Sequence, residues 1–225
     1  MIDTDTQHAS KEEISKRSFQ HRMKELHTHS YLTLLSIGQA VAFHLLVEHV
    51  YEANVLYGLS HNNVTSWVNF LLALETFAIL ILVWNDYYML VSCFSWVPSI
   101  IDPALMFCVF ASEVCLVKTL DHPEQWFQSV TAFFVVGVLA FTNTMKQSGK
   151  RPENDVMLAL NRKRMHASVW TLTGMAVISA GVSFFVANIN WAPLPCALFV
   201  LFVMAGFTWI SIVNWSNVIA FVDGR

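Results

Sequence analysis

Residues 66–90 read SWVNFLLALETFAILILVWNDYYML, and this stretch decides the fold. From Phe70 to Val83 the one ionisable side chain is Glu75. A bilayer core about 30 Å thick is crossed by about 20 apolar residues in a helix, so the run is long enough to span. It ends in Trp84-Asn85-Asp86-Tyr87-Tyr88, and Trp and Tyr favour the membrane–water boundary. The stretch therefore predicts a transmembrane helix with a carboxyl near its middle.

Five further apolar runs lie on either side of it. The spacing predicts spans at about 31–52, 66–90, 95–118, 125–145, 166–189 and 194–222. The composition agrees. The 225 residues are 55% hydrophobic and 13% charged, with a mean hydropathy of +0.49 and a net charge of -3. A soluble domain carries about 25% charge, so a disordered chain, a nucleic-acid binder and an ordinary cytosolic enzyme are excluded. The fold class read from the sequence is an all-α polytopic membrane bundle of six helices. Pro98 and Pro103 should start or kink span three. Asp121-His122-Pro123-Glu124 reads as an Asp cap opening span four. Asn190, Pro193 and Pro195 mark the turn between spans five and six.

Residues 1–30 are polar, and no signal peptide is expected from them. Ser10 and Glu13 form a capping-box pattern, with Phe19, Met23 and Leu26 following at helical spacing. A short amphipathic helix over 10–27 is the reading. Basic residues set the orientation. Lys11, Lys16, Arg17, Arg22 and Lys24 precede span one; Lys146, Lys150, Arg151, Arg162, Lys163 and Arg164 lie in the 146–165 segment, read as a basic cytoplasmic loop; Arg225 follows span six. The opposite side has Lys118 alone. Both termini are thus expected in the cytoplasm, in a plasma or inner membrane.

An ionisable group at membrane depth costs several kcal/mol unless it is neutralised, paired or wet. Span one carries His44, Glu48 and Glu52 at i, i+4 and i+8, a stripe continued by Ser36 and Ala40, with His49 beside it. Glu75 and Asp86 are eleven residues apart, three turns, and share a face of span two. Asp102 and Glu113 repeat that spacing on span three, with Ser95 and Ser99 near the Asp102 end. Pro103 frees the carbonyl of Ser99, and Glu113 is placed to meet Lys118. No Lys or Arg lies in a span core. Glu75 and Asp102 must then be protonated, bind a cation or a His, or line water. A His44–Glu75 contact is the sharpest pair expected. His44, Glu48, Glu75, Asp86, Asp102 and Glu113 are the candidate ion path or pocket. Solvation at the interface is the competing reading for His49, Glu52 and Asp86, and a structural hydrogen bond is the competing reading for Glu75 and Asp102.

Spans four to six read as scaffold or oligomer surface. Gly174, Ala176, Ala180 and Gly181 form a small-residue packing seam on span five, and Thr142, Asn143 and Thr144 lie near the end of span four. The bilayer, and a second copy or a partner membrane subunit, are the expected partners; nucleic acid is not. Cys93, Cys108, Cys115 and Cys196 lie in apolar runs without a CxxC pair, so buried thiols are expected. His27-x-His29 is too short for a metal site. Asp121, Glu124, His61 and His122 give one loop face an acidic, His-bearing character, solvated loops being the plainer reading. Asn63-Val64-Thr65 is a glycosylation sequon. Phosphate-loop, Ser-nucleophile, zincin and voltage-sensor patterns are absent. No cofactor, metal or catalytic residue is assigned from the sequence.

Phe43-His44-Leu-Leu-Val-Glu48 and Leu74-Glu75-Thr76 resemble the His-x-x-x-Glu and Met-Glu-Thr pieces of the emopamil-binding sterol isomerases, which have fewer spans. The resemblance is confined to these two fragments and implies acid–base chemistry on a sterol-like substrate. Three functions follow from the sequence: a proton or small-cation conduit through spans one to three; a structural or sensory subunit working through its tail and basic segment; and a membrane isomerase using His44, Glu48 and Glu75.

Overall fold

The computed structural model describes residue 30 and residues 32–52, 63–94, 101–189 and 192–222. Six helices account for almost all of them: α1 (Leu32–Glu52), α2 (Val64–Cys93), α3 (Ile101–Lys118), α4 (Pro123–Ser148), α5 (Asp155–Asn188) and α6 (Pro193–Val222). A single 3-10 turn, Pro152–Asn154, precedes α5, and there is no strand among the described residues. The predicted amphipathic helix over 10–27 and the two serines of the Asp102 stripe, Ser95 and Ser99, lie outside the described residues.

Over their described residues the six apolar runs are helical, an arrangement in which each segment satisfies its own backbone polar groups. Leu32–Glu52, Val64–Ser92, Pro123–Ser148 and Met165–Asn188 are long and apolar enough to cross a membrane by length and composition. The apolar part of α6 runs over Pro193–Gly206. α3 has 18 residues and carries Asp102, Glu113 and Lys118.

The α4 cap departs from expectation, and the sequon supplies a cap that was not predicted. Asn63, the sequon asparagine, caps α2 by accepting from the Thr65 N–H at 3.0 Å. α4 begins at Pro123 with His122 in the cap position. Asp121 turns away, accepting from Asn69 Nδ2 at 3.3 Å and lying 3.5 Å from His49 Nε2. Pro103 sits in the first turn of α3, where a missing N–H costs nothing. The 146–165 segment is mostly helical: only residues 149–154 join α4 to α5, and α5 starts eleven residues before the apolar run does.

α4 and α5 form an antiparallel hairpin, bonded Thr131 Oγ1 to Ser179 Oγ at 2.8 Å and Ser183 Oγ to the Glu124 carbonyl at 3.1 Å. α3 runs antiparallel to α4, and α1 runs parallel to α3: Gln39 meets Glu113 near one level and His49 meets Asp121 near another. α2 is the central helix, packed on α6 and also touching α3 and α4. Its buried Leu72 and Ile79 join Leu116, Trp126, Phe127 and Val200 in one core. Gly38 lets α1 approach α3, since a Cβ there would stand 2.9 Å from the Phe110 ring.

Candidate functional site

Glu75 sits midway along α2, between Leu72 and Ile79 on the most buried face of that helix. It is 0% exposed. Its carboxyl lies beside the backbone of Leu201 in α6, where Ala197 and Val200 are buried and keep the α2–α6 contact close. Neither carboxylate oxygen has a side-chain hydrogen-bond partner, and the Leu201 backbone is the polar group beside the carboxyl. The adjacent Thr76 points to α4 instead. Its hydroxyl donates to the Leu72 carbonyl at 2.8 Å and accepts from Trp126 Nε1 at 2.9 Å. The two neighbours thus differ by one residue, a hydroxyl bonded on both sides against a carboxyl without a side-chain partner.

The other buried acids are satisfied. Asp102, 3% exposed, accepts from Asn143 Nδ2 at 2.7 Å. Glu113, 1% exposed, accepts from Gln39 Nε2, so the expected surface pairing with Lys118 gives way to an internal amide on α1. The Tyr87 hydroxyl lies within electrostatic range of both acids. Sequence reasoning missed Gln39 as a partner and placed Asn143 merely near the boundary. The available signal was a lone amide side chain inside an apolar run, which helices in lipid use to bond across to a neighbour.

Of the predicted site residues, Glu75, Asp102 and Glu113 are buried on α2 and α3, and they face three different partners, α6, α4 and α1. His44 and Glu48 lie on the exposed side of α1. The His44–Glu75 hydrogen bond is not made, since Glu75 has no such partner. His44, Glu48 and Glu75 do not assemble into an acid–base trio. The i, i+4, i+8 stripe fixed which α1 residues share a face, and the remaining packing turned that face outward.

Asp86 is half-buried and lines a partly open cavity of about 90 Å³. Ile79, Leu82, Phe133, Phe134, Met175 and Met204 are among the residues that line it. A wider groove of about 760 Å³ runs between α1 and α2, lined by Phe43, Val50, Leu74, Phe77 and Glu52. On α5, Ala176 is buried, while Ala180 and Gly181 are exposed. A Cβ at Gly174 or Gly181 would find no atom within 4 Å, so these glycines of the predicted seam do not serve packing inside the chain. Among the described residues no three His, Cys, Asp or Glu side chains come together to hold a metal ion.

No protein family, curated protein or solved structure matches the chain.

Proposed function

We propose that this is a multi-pass membrane protein of six spans, with both termini in the cytoplasm, that passes protons or small cations along α2 with Glu75 as the central exchange site. The observation that carries the reading is the state of the Glu75 carboxyl: fully buried in an apolar helix interface, with no side-chain hydrogen-bond partner for either oxygen. Burying a polar group without a partner costs about 1–3 kcal/mol, and more for an ionised one. Leucine at that position would avoid the penalty. A bundle selected for stability alone has no use for this carboxyl, whereas a group that binds and releases an ion must be free of permanent partners. On this reading the open Gly174–Gly181 seam receives a helix from a second copy or from a partner subunit.

The test is purified protein in proteoliposomes under an imposed membrane potential. Wild type should move protons or a small cation above the level of empty vesicles, and Glu75→Gln should fall to that level while eluting as the same folded species. Equal flux from both proteins removes the reading.

A second reading rests on a different observation. Asp102 and Glu113 are held by amide hydrogen bonds, as buried acids that merely specify packing would be. It makes the chain a structural or sensory subunit, and full function in Glu75→Gln would favour it.

A further inference from the structure

On α2 the lining of the cavity that Asp86 borders begins one helical turn from Glu75. Ile79, which lines it, is one helical turn beyond Glu75 on α2, since residues i and i+4 stack on one helix face. Met204, which also lines it, is three residues beyond Leu201, the α6 residue against the Glu75 carboxyl. The Glu75–Leu201 contact therefore lies about one helical turn from the cavity lining, and Asp86 stands about 16 Å from Glu75 along α2, eleven residues at the helical rise. Two acids on one helix face are separated by a void whose wall is almost entirely apolar.

Resting on the proposed conduit reading, we propose that this cavity is the inner half of the path, filled by a transient file of water that carries protons from Glu75 to Asp86 and admits no metal cation. The chemistry distinguishes the two cargoes. A sodium-sized or divalent cation gives up hydration only for several oxygen ligands at once. Glu75 offers one carboxylate, the Leu201 backbone beside it belongs to α6, and the adjacent Thr76 already serves Leu72 and Trp126. A proton needs one oxygen at a time. The Glu75 O–H breaks as a water takes its proton, successive waters pass the charge on, and an oxygen of the Asp86 carboxylate forms the final O–H bond. Glu75 is then recharged from the opposite side. A cavity of about 90 Å³ has room for several waters, because one needs about 10–15 Å³ of such volume. Apolar walls leave it dry at rest, so wetting is the gate.

Gly137 on α4 lines the cavity, and a Cβ there would meet only Leu172 Cδ1, at 3.9 Å. The series Gly137→Ala, Gly137→Val and Gly137→Leu therefore fills the void in steps. Proton flux, read by a pH dye inside proteoliposomes under a potassium diffusion potential, should fall progressively, by about tenfold at leucine. Gly181→Leu, on the open face of α5, should leave it unchanged. Ala140→Ser, which adds a hydroxyl to the cavity wall, should raise flux, an outcome that misfolding cannot imitate. Tracer sodium should stay at the empty-vesicle level throughout. Wild-type flux in Gly137→Leu, no gain in Ala140→Ser, or sodium uptake by wild type overturns the inference while leaving the conduit. A wild type that moves neither ion removes the conduit reading and this inference together.

Discussion

Glu75→Met is expected to stabilise the protein by about 1–3 kcal/mol and to abolish its flux. The two effects have one cause. Methionine keeps the length and the unbranched shape of glutamate and adapts to irregular gaps, so the α2–α6 contact around Leu201 is preserved. It removes two oxygens that have no side-chain partner in the folded bundle. Replacing buried charged groups by well-packed apolar ones is often neutral or stabilising, and here no side-chain bond is lost. Detergent-micelle unfolding followed by circular dichroism, paired with the flux assay, measures both. A stability gain with loss of flux identifies a residue kept for what it does. A Glu75→Met protein that is less stable than wild type would mean the carboxyl holds the fold.

The largest loss of stability is expected at Trp126. Its ring is 0% exposed and meets Phe127 edge-on, with centroids 5.1 Å apart at 83°. Its indole N–H crosses from α4 to the Thr76 hydroxyl on α2. Trp126→Ala removes the ring volume and the bond together, for about 3–5 kcal/mol. Trp126→Phe should cost only about 1 kcal/mol, because Thr76 keeps its bond to the Leu72 carbonyl. Since Thr76 adjoins Glu75, this anchor also fixes the rotation of α2 that aims the carboxyl at α6. Trp126→Ala should therefore lose flux as well as stability. Equal stabilities of the alanine and phenylalanine variants would show that the ring fills no space the fold needs.

The helices were legible in the sequence because hydropathy and length are nearly sufficient for a segment that must satisfy its own backbone. The predicted span at 194–222 differs from α6 by one residue at the start. The failure at α5 is instructive. Residues 155–165 include Asn161, Arg162, Lys163 and Arg164, so they read as loop, yet polar residues continue a helix readily once it leaves the apolar region. Pro152 and the 3-10 turn supply the actual boundary.

The candidate site was legible only as a set of residues. Glu75, Asp102 and Glu113 were marked by cost alone, and all three are buried. Their partners were not legible, because helical periodicity tells which side chains share a face and not what that face meets. Asp102 and Asn143 are 41 residues apart, and Gln39 and Glu113 are 74 apart. The same limit placed His44 and Glu48 inside, on the strength of a stripe that in the folded bundle points outward. Trp126 went unmarked because an aromatic near a span end reads first as an interface residue.

The most direct measurement is mass-spectrometric mapping of the protein in lipid after treatment with a hydrophobic carbodiimide, which adds to a protonated carboxyl in apolar surroundings. The account predicts a single dominant adduct on Glu75 whose formation stops flux in parallel, with Asp102 and Glu113 unlabelled behind their amide partners. Absence of label at Glu75, or full labelling with flux intact, would contradict it.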